Sequence, residues 1–231
     1  HICVSQDVAL FCRTQVGLDS HKIEVIVNGV EPERFQRVQP RDLSGLGIGS
    51  EDPVLAWIGR LDPQKDPLAA IEAFGRLDES FSDCHLVLAG EGPLQGVVEA
   101  ECVRRGVVGR VHLLGRVEDV PQLLARSCGL LLTSRWEGMP NVVLEAMAAS
   151  RPVVARASEG VGDLVEDGVT GWLVADNHVS GLATAIRRLL SDPVRGQEMG
   201  RRGRQKVTKD YSLEKMVRQY DALWEQEILA S

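Results

Sequence analysis

Short apolar runs alternate with helical patterns along most of the chain. Six runs have the length and composition of buried strands, at residues 54–58, 85–89, 110–114, 129–133, 152–155 and 170–174. The segments between them include helical patterns at residues 67–77, 94–105, 120–126 and 142–149. Strands that alternate with helices favour a parallel sheet covered on both faces. We therefore predict a doubly wound, Rossmann-like α/β domain with about six parallel strands flanked by helices.

The pattern after residue 174 is helical only. Two apolar stripes have helical spacing, one made of Leu182, Ile186, Leu189 and Leu190 and the other of Met216, Tyr220, Leu223, Trp224 and Ile228. The sequence thus predicts C-terminal helices that follow the sheet.

The composition sets limits on the class of protein. The chain has 231 residues, 44% hydrophobic and 26% charged, which is typical of a globular protein with one large or two small domains. Its net charge of −7 argues against a nucleic-acid partner. Five cysteines without a Cys-x-x-Cys pair favour a reducing, cytoplasmic location. We find no signal peptide and no spanning apolar run, and because the first residue is His, we expect a fragment that enters a longer protein mid-fold.

Two glutamates flank a predicted strand-to-helix turn. Glu137 follows the apolar run at 129–133, Gly138 and Pro140 favour a turn, and Glu145 lies one turn inside a helix that should begin at Asn141 and Val142. The free backbone amides at a helix N-terminus favour an anion. This segment therefore predicts a site for a phosphate-bearing ligand with hydroxyl groups.

A second candidate loop follows the run at 54–58. It reads Gly59-Arg60-Leu-Asp-Pro-Gln-Lys65, with two cations five residues apart after a glycine. Such a glycine allows close approach of a ligand, while an arginine and a lysine can clamp a diphosphate. In an open parallel sheet the ligand lies outside the carboxyl ends of the strands, so both loops are expected at one crevice.

These two motifs, Gly-Arg-x-x-x-x-Lys and Glu-x7-Glu with Glu-Ala-Met-Ala, resemble those of the retaining glycosyltransferases of family 4, the "glycosyl transferases group 1" with GT-B architecture. The resemblance implies that this chain is mainly the C-terminal, donor-binding half of such an enzyme. It implies that Arg60 and Lys65 bind the donor phosphates, that Glu137 accepts sugar hydroxyls and that Glu145 accepts both ribose hydroxyls. The other donor-binding positions that it implies are Gly59, the backbone around Val117 for the nucleobase, and Gly138, Met139, Pro140, Asn141 and Val142. Among these residues it implies catalytic roles for Arg60, Lys65 and Glu137.

The same resemblance implies a domain organisation. Residues 1–29 would be the trailing strand, helix and hinge of an otherwise absent N-terminal acceptor domain, with Asn28-Gly29-Val30 as linker. Residues 30–210 would bind the nucleotide sugar, and residues 211–231 would form a helix that crosses to the other domain. The expected donor is UDP- or GDP-linked, and the acceptor is an unidentified saccharide, lipid or polymer intermediate. Any membrane association would occur through the missing half, at the inner face.

Metal and cofactor chemistry is not expected. The histidines His1, His21, His85, His112 and His178 are scattered without metal-ligand spacing, and no Asp-x-Asp cluster is present. Other local expectations are a tight turn at residues 90–93 and a helix N-cap at Asp119. We predict a donor site that works without a metal.

Three alternatives remain open from the sequence. Paired carboxylates also serve glycoside hydrolases, although an adjacent cation loop calls for an anionic ligand. The second alternative is a nucleotide-sugar-binding module without transfer activity, and the feature that separates it from an enzyme is the missing N-terminal half. The third is a sugar-nucleotide epimerase of related fold, which the Glu-Ala-Met-Ala motif disfavours. The chain also departs from the family pattern twice. Ser150-Arg151 stands where the family usually turns with a glycine. Residues 159–163 stand where the family usually has Gly-Gly-x-Pro-Glu.

Overall fold

The first residues form a small two-stranded unit. The computed structural model describes residues 1–175 and 178–229. The elements of this unit are β1 (Ile2–Cys3), α1 (Gln6–Phe11), a π-helical turn (Cys12–Val16) and β2 (Glu24–Val25). Strands β1 and β2 are parallel, and the Ser5 hydroxyl caps α1 by accepting from the Val8 amide at 3.2 Å. This unit lies within residues 1–29, where the sequence predicts a strand, a helix and a hinge.

A six-stranded parallel sheet follows, as predicted. Its strands are β3 (Val54–Ile58), β4 (His85–Ala89), β5 (Val111–Gly115), β6 (Gly129–Leu132), β7 (Val153–Arg156) and β8 (Gly171–Val174). Their order in space is β5-β4-β3-β6-β7-β8. The strand order reverses between β3 and β6, and a ligand crevice is expected outside the carboxyl ends at such a point. These two strands lead into the two loops that carry the sequence motifs.

Helices cover both faces of the sheet and continue to the C-terminus. They are α2 (Pro67–Phe74), α3 (Gln95–Arg105), α4 (Val120–Arg126), α5 (Asn141–Ala148), α6 (Val179–Ser191), α7 (Pro193–Asp210) and α8 (Leu213–Leu229). Short 3-10 helices occur at Ser20–Lys22, Pro32–Phe35, Ser44–Leu46 and Glu79–Phe81. The fold is therefore the predicted doubly wound α/β domain with C-terminal helices.

Alternation along the strands divides the core into two clusters. In β3, Leu55 and Trp57 belong to the cluster beneath α2, α3 and α6, whereas Val54 and Ala56 belong to the cluster beneath α4 and α5. Trp172 of β8 is buried in the first cluster, and Met147 of α5 is buried in the second. Both faces of the sheet are thus packed, which is why its strands are continuously apolar.

Most predicted boundaries hold within one residue. Strands β3 and β4 agree residue for residue with 54–58 and 85–89, and the other four shift by one residue at one or both ends. The helix predicted at 67–77 ends earlier, at Phe74, because Gly75 caps it with its amide bonded to Ile71 O at 2.8 Å. Thr133 was expected at the end of a strand but lies in the following loop.

Val30 of the predicted linker is joined to the start of the last helix and to the residues before it by backbone hydrogen bonds. The Val30 amide donates to Tyr211 O at 2.9 Å, and the Leu213 amide donates to Val30 O at 2.8 Å. Helix α8 leaves Trp224 59% exposed, with Val217 and Ile228 also exposed. Residues 230–231 of the predicted 211–231 segment lie outside the described residues. Within the described ranges, no helix is both long and apolar enough to cross a membrane.

Candidate functional site

The loop after β3 rests on the turn after β4. The Gly59 amide donates to Ala89 O at 3.0 Å, and a Cβ at Gly90 would lie only 1.8 Å from the Gly59 carbonyl oxygen. Gly90 has φ of +145°, a backbone conformation that favours glycine. The turn that the sequence predicts at residues 90–93 forms two residues later, where the Gln95 amide donates to Gly92 O at 3.2 Å. The preceding residues support the cation loop, since the Leu61 amide donates to Glu91 O at 2.9 Å.

Asp62 organises the cation loop from inside. Its carboxylate accepts from the Lys65 amide at 2.9 Å and from Arg60 Nε at 2.5 Å. Burial disfavours the charged form of Asp62, but these hydrogen bonds and the Arg60 charge outweigh it and lower the pKa. The Arg60 side chain remains 70% exposed. The loop thus presents Arg60 to solvent at the carboxyl end of the sheet.

An ion pair joins the two sequence motifs. Lys65 Nζ lies 2.6 Å from Glu137 Oε1, and the side chains are 24% and 6% exposed. Such a charge-assisted hydrogen bond in a partly buried place fixes both side chains. The Lys65 ammonium has three donors and the Glu137 carboxylate has a second oxygen, so both groups can bind a ligand while paired. The structure brings together two residues that the sequence assigned to one site.

Further hydrogen bonds fasten the two loops along their length. The Arg135 amide donates to Gln64 O at 2.8 Å, and Gln64 Nε2 donates to Trp136 O at 3.1 Å. The Thr133 hydroxyl accepts from the Trp57 indole at 2.9 Å and lies 2.9 Å from Lys65 O. The Trp136 side chain stays largely exposed. The cation loop and the glutamate loop therefore form one rigid unit.

A buried carboxylate beside this unit is shared by two arginines. Asp66 Oδ2 accepts from Arg135 Nε at 3.0 Å and from both terminal nitrogens of Arg156 at 3.2 Å. Asp66 has φ of +48° and caps α2 by accepting from the Ala69 amide at 3.3 Å. Sequence reasoning missed this cluster, because Asp66 and Arg135 lie in two different loops and Arg156 is the last residue of β7. The only sequence signal was that all three lie at or beyond the carboxyl end of a strand.

Helix α5 begins at Asn141, as predicted, and places Glu145 beside the hinge. Glu145 and Asn141 line a cavity of about 260 Å³ together with Arg34 and hinge residues 29–31. Burial raises the pKa of the Glu145 carboxyl, and the Arg34 charge opposes this rise. Glu145 thus lies apart from the Lys65–Glu137 ion pair, in a neighbouring cavity. The two glutamates flank the first turn of one helix.

The hinge contacts the glutamate loop directly. Asn28 Nδ2 donates to Asn141 Oδ1 at 2.8 Å and approaches Met139 O at 3.4 Å. Met139 is buried, and Pro140 takes the N-cap position with an extended backbone. Val142 packs against the core cluster beneath α5. The predicted linker is therefore attached to the segment predicted to bind the donor.

Gly138 meets both the first helix and the loop after β7. A Cβ on Gly138 would lie 3.7 Å from Val8 Cγ2 of α1 and 3.2 Å from Val4 Cγ2 just before it, and a Cβ on Gly160 would lie 2.1 Å from Gly138 O. Gly160 has φ of +72°, and its amide donates to Asp7 Oδ2 at 2.9 Å. Although residues 159–163 depart from the family pattern, this loop packs closely against the glutamate loop.

The loop after β5 lies at the same carboxyl end of the sheet as the two motif loops. Val117 is half-buried against the core and Arg116 is exposed. Asp119 takes the predicted N-cap position of α4, but its side chain makes no capping hydrogen bond. The sequence thus predicts the residue at the N-cap position, but the expected hydrogen bond from a backbone amide of α4 to the Asp119 side chain does not form. The role of the Val117 backbone stays a prediction.

Two histidines that look scattered in the sequence are neighbours in the structure. His85 Nδ1 lies 3.0 Å from His112 Nε2, and His85 Nε2 lies 3.6 Å from Asp52 Oδ2. Burial lowers the pKa of both histidines. Residues 1–175 and 178–229 contain no group of three His, Cys, Asp or Glu side chains that could hold a metal ion. The metal-independent donor site stays a prediction.

Comparison with known proteins defines the class. Residues 38–206 match the family described as "Glycosyl transferases group 1", so more than half of the chain is covered. The solved structure of Anabaena HepE in complex with UDP superposes with a TM-score of 0.86 at 24% identity, covering 97% of this chain and 63% of that one. The structure of sucrose-phosphate synthase from Thermosynechococcus elongatus superposes with a TM-score of 0.88 at 24% identity, covering 100% of this chain and 58% of that one. This chain belongs to the group 1 glycosyltransferases and has the Rossmann-like fold of GT-B enzymes.

Curated relatives are longer than this chain. The alpha-D-kanosaminyltransferase of Streptomyces kanamyceticus is 33% identical over 180 residues, 77% of this chain and 46% of that protein. The "UDP-Gal:alpha-D-GlcNAc-diphosphoundecaprenol alpha-1,3-galactosyltransferase" of Escherichia coli is 31% identical over 222 residues, 94% of this chain and 57% of that protein. The chain thus spans about half the length of these relatives.

Proposed function

We propose that this chain binds a nucleoside diphosphate sugar as the donor-binding part of a retaining glycosyltransferase. The observation that carries the proposal is the Lys65–Glu137 contact. It joins the cation loop to the loop that opens α5, so phosphate-binding and sugar-binding groups meet at one edge of the sheet. The donor is UDP- or GDP-linked, and the acceptor is a saccharide, a lipid or a polymer intermediate.

The charges around this contact suit a diphosphate. Among the described residues, Arg60 pairs with Asp62, Lys65 with Glu137, and both Arg135 and Arg156 with Asp66. The N-terminus of α5 adds free backbone amides on the same side. An anion can therefore accept from the exposed Arg60 guanidinium and from the further donors of Lys65 while both cations keep their acidic neighbours.

Each side chain has a role within the proposal. Arg60 and Lys65 bind the two phosphates, Glu137 accepts hydroxyls of the transferred sugar, and Glu145 accepts the ribose hydroxyls. Burial of Glu145 limits competition from water for those hydroxyls. Gly59, the Val117 backbone and the segment 138–142 complete the donor contacts. No protein nucleophile is assigned.

The proposed reaction keeps the configuration at the anomeric carbon. The bond between that carbon and the phosphate oxygen breaks while the acceptor oxygen bonds on the same face. The acceptor proton passes to the departing phosphate oxygen, and Arg60, Lys65 and the α5 dipole stabilise the diphosphate as it leaves. In this proposal the donor phosphate therefore serves as the base.

The comparisons support a transferase. Both curated relatives are glycosyltransferases by name, and the name of the Escherichia coli relative includes a UDP-linked donor. The Anabaena structure contains UDP. These findings favour sugar transfer over an epimerase or a module that only binds.

Calorimetry with UDP, GDP and UMP tests the proposed site. We expect UDP or GDP to bind in the presence of EDTA and UMP to bind more weakly, because the cation loop contacts the second phosphate. A Lys65→Ala variant should lose part of the preference for diphosphate over monophosphate. Failure of both diphosphates to bind, or binding that requires a divalent cation, would contradict the proposal.

A further inference from the structure

Another cavity, larger than the one beside Glu145, lies at the opposite end of the strands from the two motif loops. Its volume is about 500 Å³, within the range of small-molecule sites. It lies at the amino ends of β3, β6 and β7, where Val54, Cys128 and Pro152 line it. The donor crevice lies at the carboxyl ends of the same sheet. The two places are therefore separated by the length of the strands.

Two arginines line this cavity without an acidic partner. Arg126 donates to the carbonyl oxygens of Asp52 at 3.1 Å and Gly49 at 2.5 Å, and Arg151 donates to Ala125 O at 3.1 Å. Among residues 1–175 and 178–229, no carboxylate lies within salt-bridge distance of either guanidinium. Arg151 Nε is buried and has no hydrogen-bond partner in that part of the chain.

Nearby negative charge compensates the arginines only in part. The carbonyl ends of α4 and α5 lie at this edge, and each helix end carries roughly half a unit of negative charge. The Asp52 carboxylate accepts from the Gly49 amide at 2.7 Å and lies 3.6 Å from His85. Glu51 also lines the cavity but is exposed. Burial lowers the pKa of the Arg151 guanidinium, because its charged form is partly removed from solvent.

We propose that this cavity binds an organic oxyanion, a carboxylate or a phosphate monoester with a compact apolar body. The anionic oxygens would accept from Arg126 and Arg151, whose planar guanidinium groups suit two-oxygen acceptors. The apolar body would pack on Leu189, Leu190 and Pro193, which form the wall contributed by the end of α6 and the start of α7. The site is separate from the donor site and does not depend on the proposed transfer reaction.

Titration with phenyl phosphate, benzoate and phenol, followed by two-dimensional NMR, tests the proposal. We expect saturable binding of phenyl phosphate or benzoate that saturating UDP does not displace, and no matching affinity for the uncharged phenol. Arg151→Gln should weaken binding by at least about tenfold, the effect of losing one strong charged contact. Arg195→Gln is the matched control, because this exposed arginine at the start of α7 does not line the cavity.

Arg126→Gln provides a second variant if Arg151→Gln fails to fold, and it should weaken binding to a similar extent. Three outcomes would overturn the proposal. They are competition by UDP, equal binding of phenol, and unchanged affinity in the folded arginine variant. Absence of a saturable shift with either anion up to about 10 mM would overturn it as well, since this would exclude even a millimolar site.

Discussion

Lys65 is the residue at which the two motifs of the donor site meet. Its ammonium is held by Glu137 at 2.6 Å and its amide by Asp62 at 2.9 Å. The side chain is thus positioned before a ligand arrives, which reduces the entropy lost on binding. In the proposed function, the same ammonium donates a further hydrogen bond to a phosphate oxygen.

Replacement of Lys65 by alanine should weaken UDP binding by about 1.5–3 kcal/mol, the scale of a hydrogen bond to a charged group. The difference from wild type should shrink as salt is added, because part of the interaction is a screened charge effect. Calorimetry at two salt concentrations measures both effects. Arg202→Ala on the surface of α7 changes the net charge equally and should leave affinity unchanged. A larger loss of affinity for UMP than for UDP would mean that Lys65 contacts a part of the ligand other than the second phosphate.

Glu145 should make the folded state sensitive to pH. Burial raises its pKa above the ordinary value of 4.5, so the folded protein holds this proton more tightly than the unfolded chain. The resulting stabilisation is complete below pH 4.5 and is lost as the pH rises through the raised pKa. A Glu145→Gln variant does not lose stability in this way as the pH rises, because it has no carboxyl group at this position. Its melting temperature relative to wild type should therefore increase with pH across that window.

Thermal unfolding of wild type and Glu145→Gln between pH 4 and 8 measures this effect. Glu225→Gln on the exposed side of α8 is the matched control for the loss of one carboxylate. A pH-independent difference for Glu145→Gln would show that the carboxyl is not desolvated. The same variant should bind UDP more weakly, because an amide offers one acceptor oxygen to the ribose diol where a carboxylate offers two.

At the scale of elements, α5 links the donor site to the opposite edge of the sheet. Its C-terminus forms a Schellman motif, with the Arg151 amide bonded to Ala146 O at 2.8 Å and the Ser150 amide bonded to Met147 O at 2.9 Å. Ser150 has φ of +57°, the left-handed conformation that this motif requires. The departure from glycine that the sequence showed at this position therefore has a conformational cost.

Ser150→Gly should stabilise the protein by about 0.5–1 kcal/mol. The left-handed conformation costs a non-glycine residue roughly 1–2 kcal/mol, and part of this gain is offset by the flexibility of glycine in the unfolded chain. Chemical denaturation measures the difference. Ala149→Gly at the preceding position, where φ is −77°, is the control and should destabilise. A destabilised Ser150→Gly protein would mean that the serine side chain compensates for its backbone.

The elements were predictable from the sequence to the extent that they depend on local apolar patterns. Strands β3 and β4 and the start of α5 agree because their apolar runs end at Gly, Pro or charged residues. The Asp66 cluster was not predictable, because its arginines come from two distant strand ends and no periodicity relates them. The two motifs were recognised separately, but the ion pair between them depends on the order of β3 and β6 in the sheet. The histidine pair was missed for a similar reason, since β4 and β5 bring together residues 27 positions apart.

At the scale of the molecule, the chain spans about half the length of the curated relatives it matches. The family match over residues 38–206 includes both sequence motifs. We predict that residues 1–231 alone bind UDP or GDP without transferring sugar efficiently to an acceptor. Orientation of two reactants supplies much of the rate in such a transfer, and an open donor site admits water.

Incubation of the protein with radiolabelled UDP-sugars and candidate acceptors tests this prediction. We expect at most slow hydrolysis of the donor. Efficient transfer by the 231 residues would show that a complete active site is present. In a version extended by an N-terminal domain, Glu137→Ala should reduce transfer more than diphosphate binding, and Glu145→Ala should mainly reduce nucleotide binding.

The four tryptophans provide an optical reporter of the donor site. Trp57 and Trp172 are buried in the core, whereas Trp136 is 51% exposed beside the Lys65–Glu137 ion pair and Trp224 is exposed on α8. In a Trp224→Phe variant, iodide should quench the fluorescence of Trp136 almost alone. Occupation of the crevice should shield that indole, so the loss of quenchable emission gives the fraction of protein that holds a donor, without a label or a coupled assay.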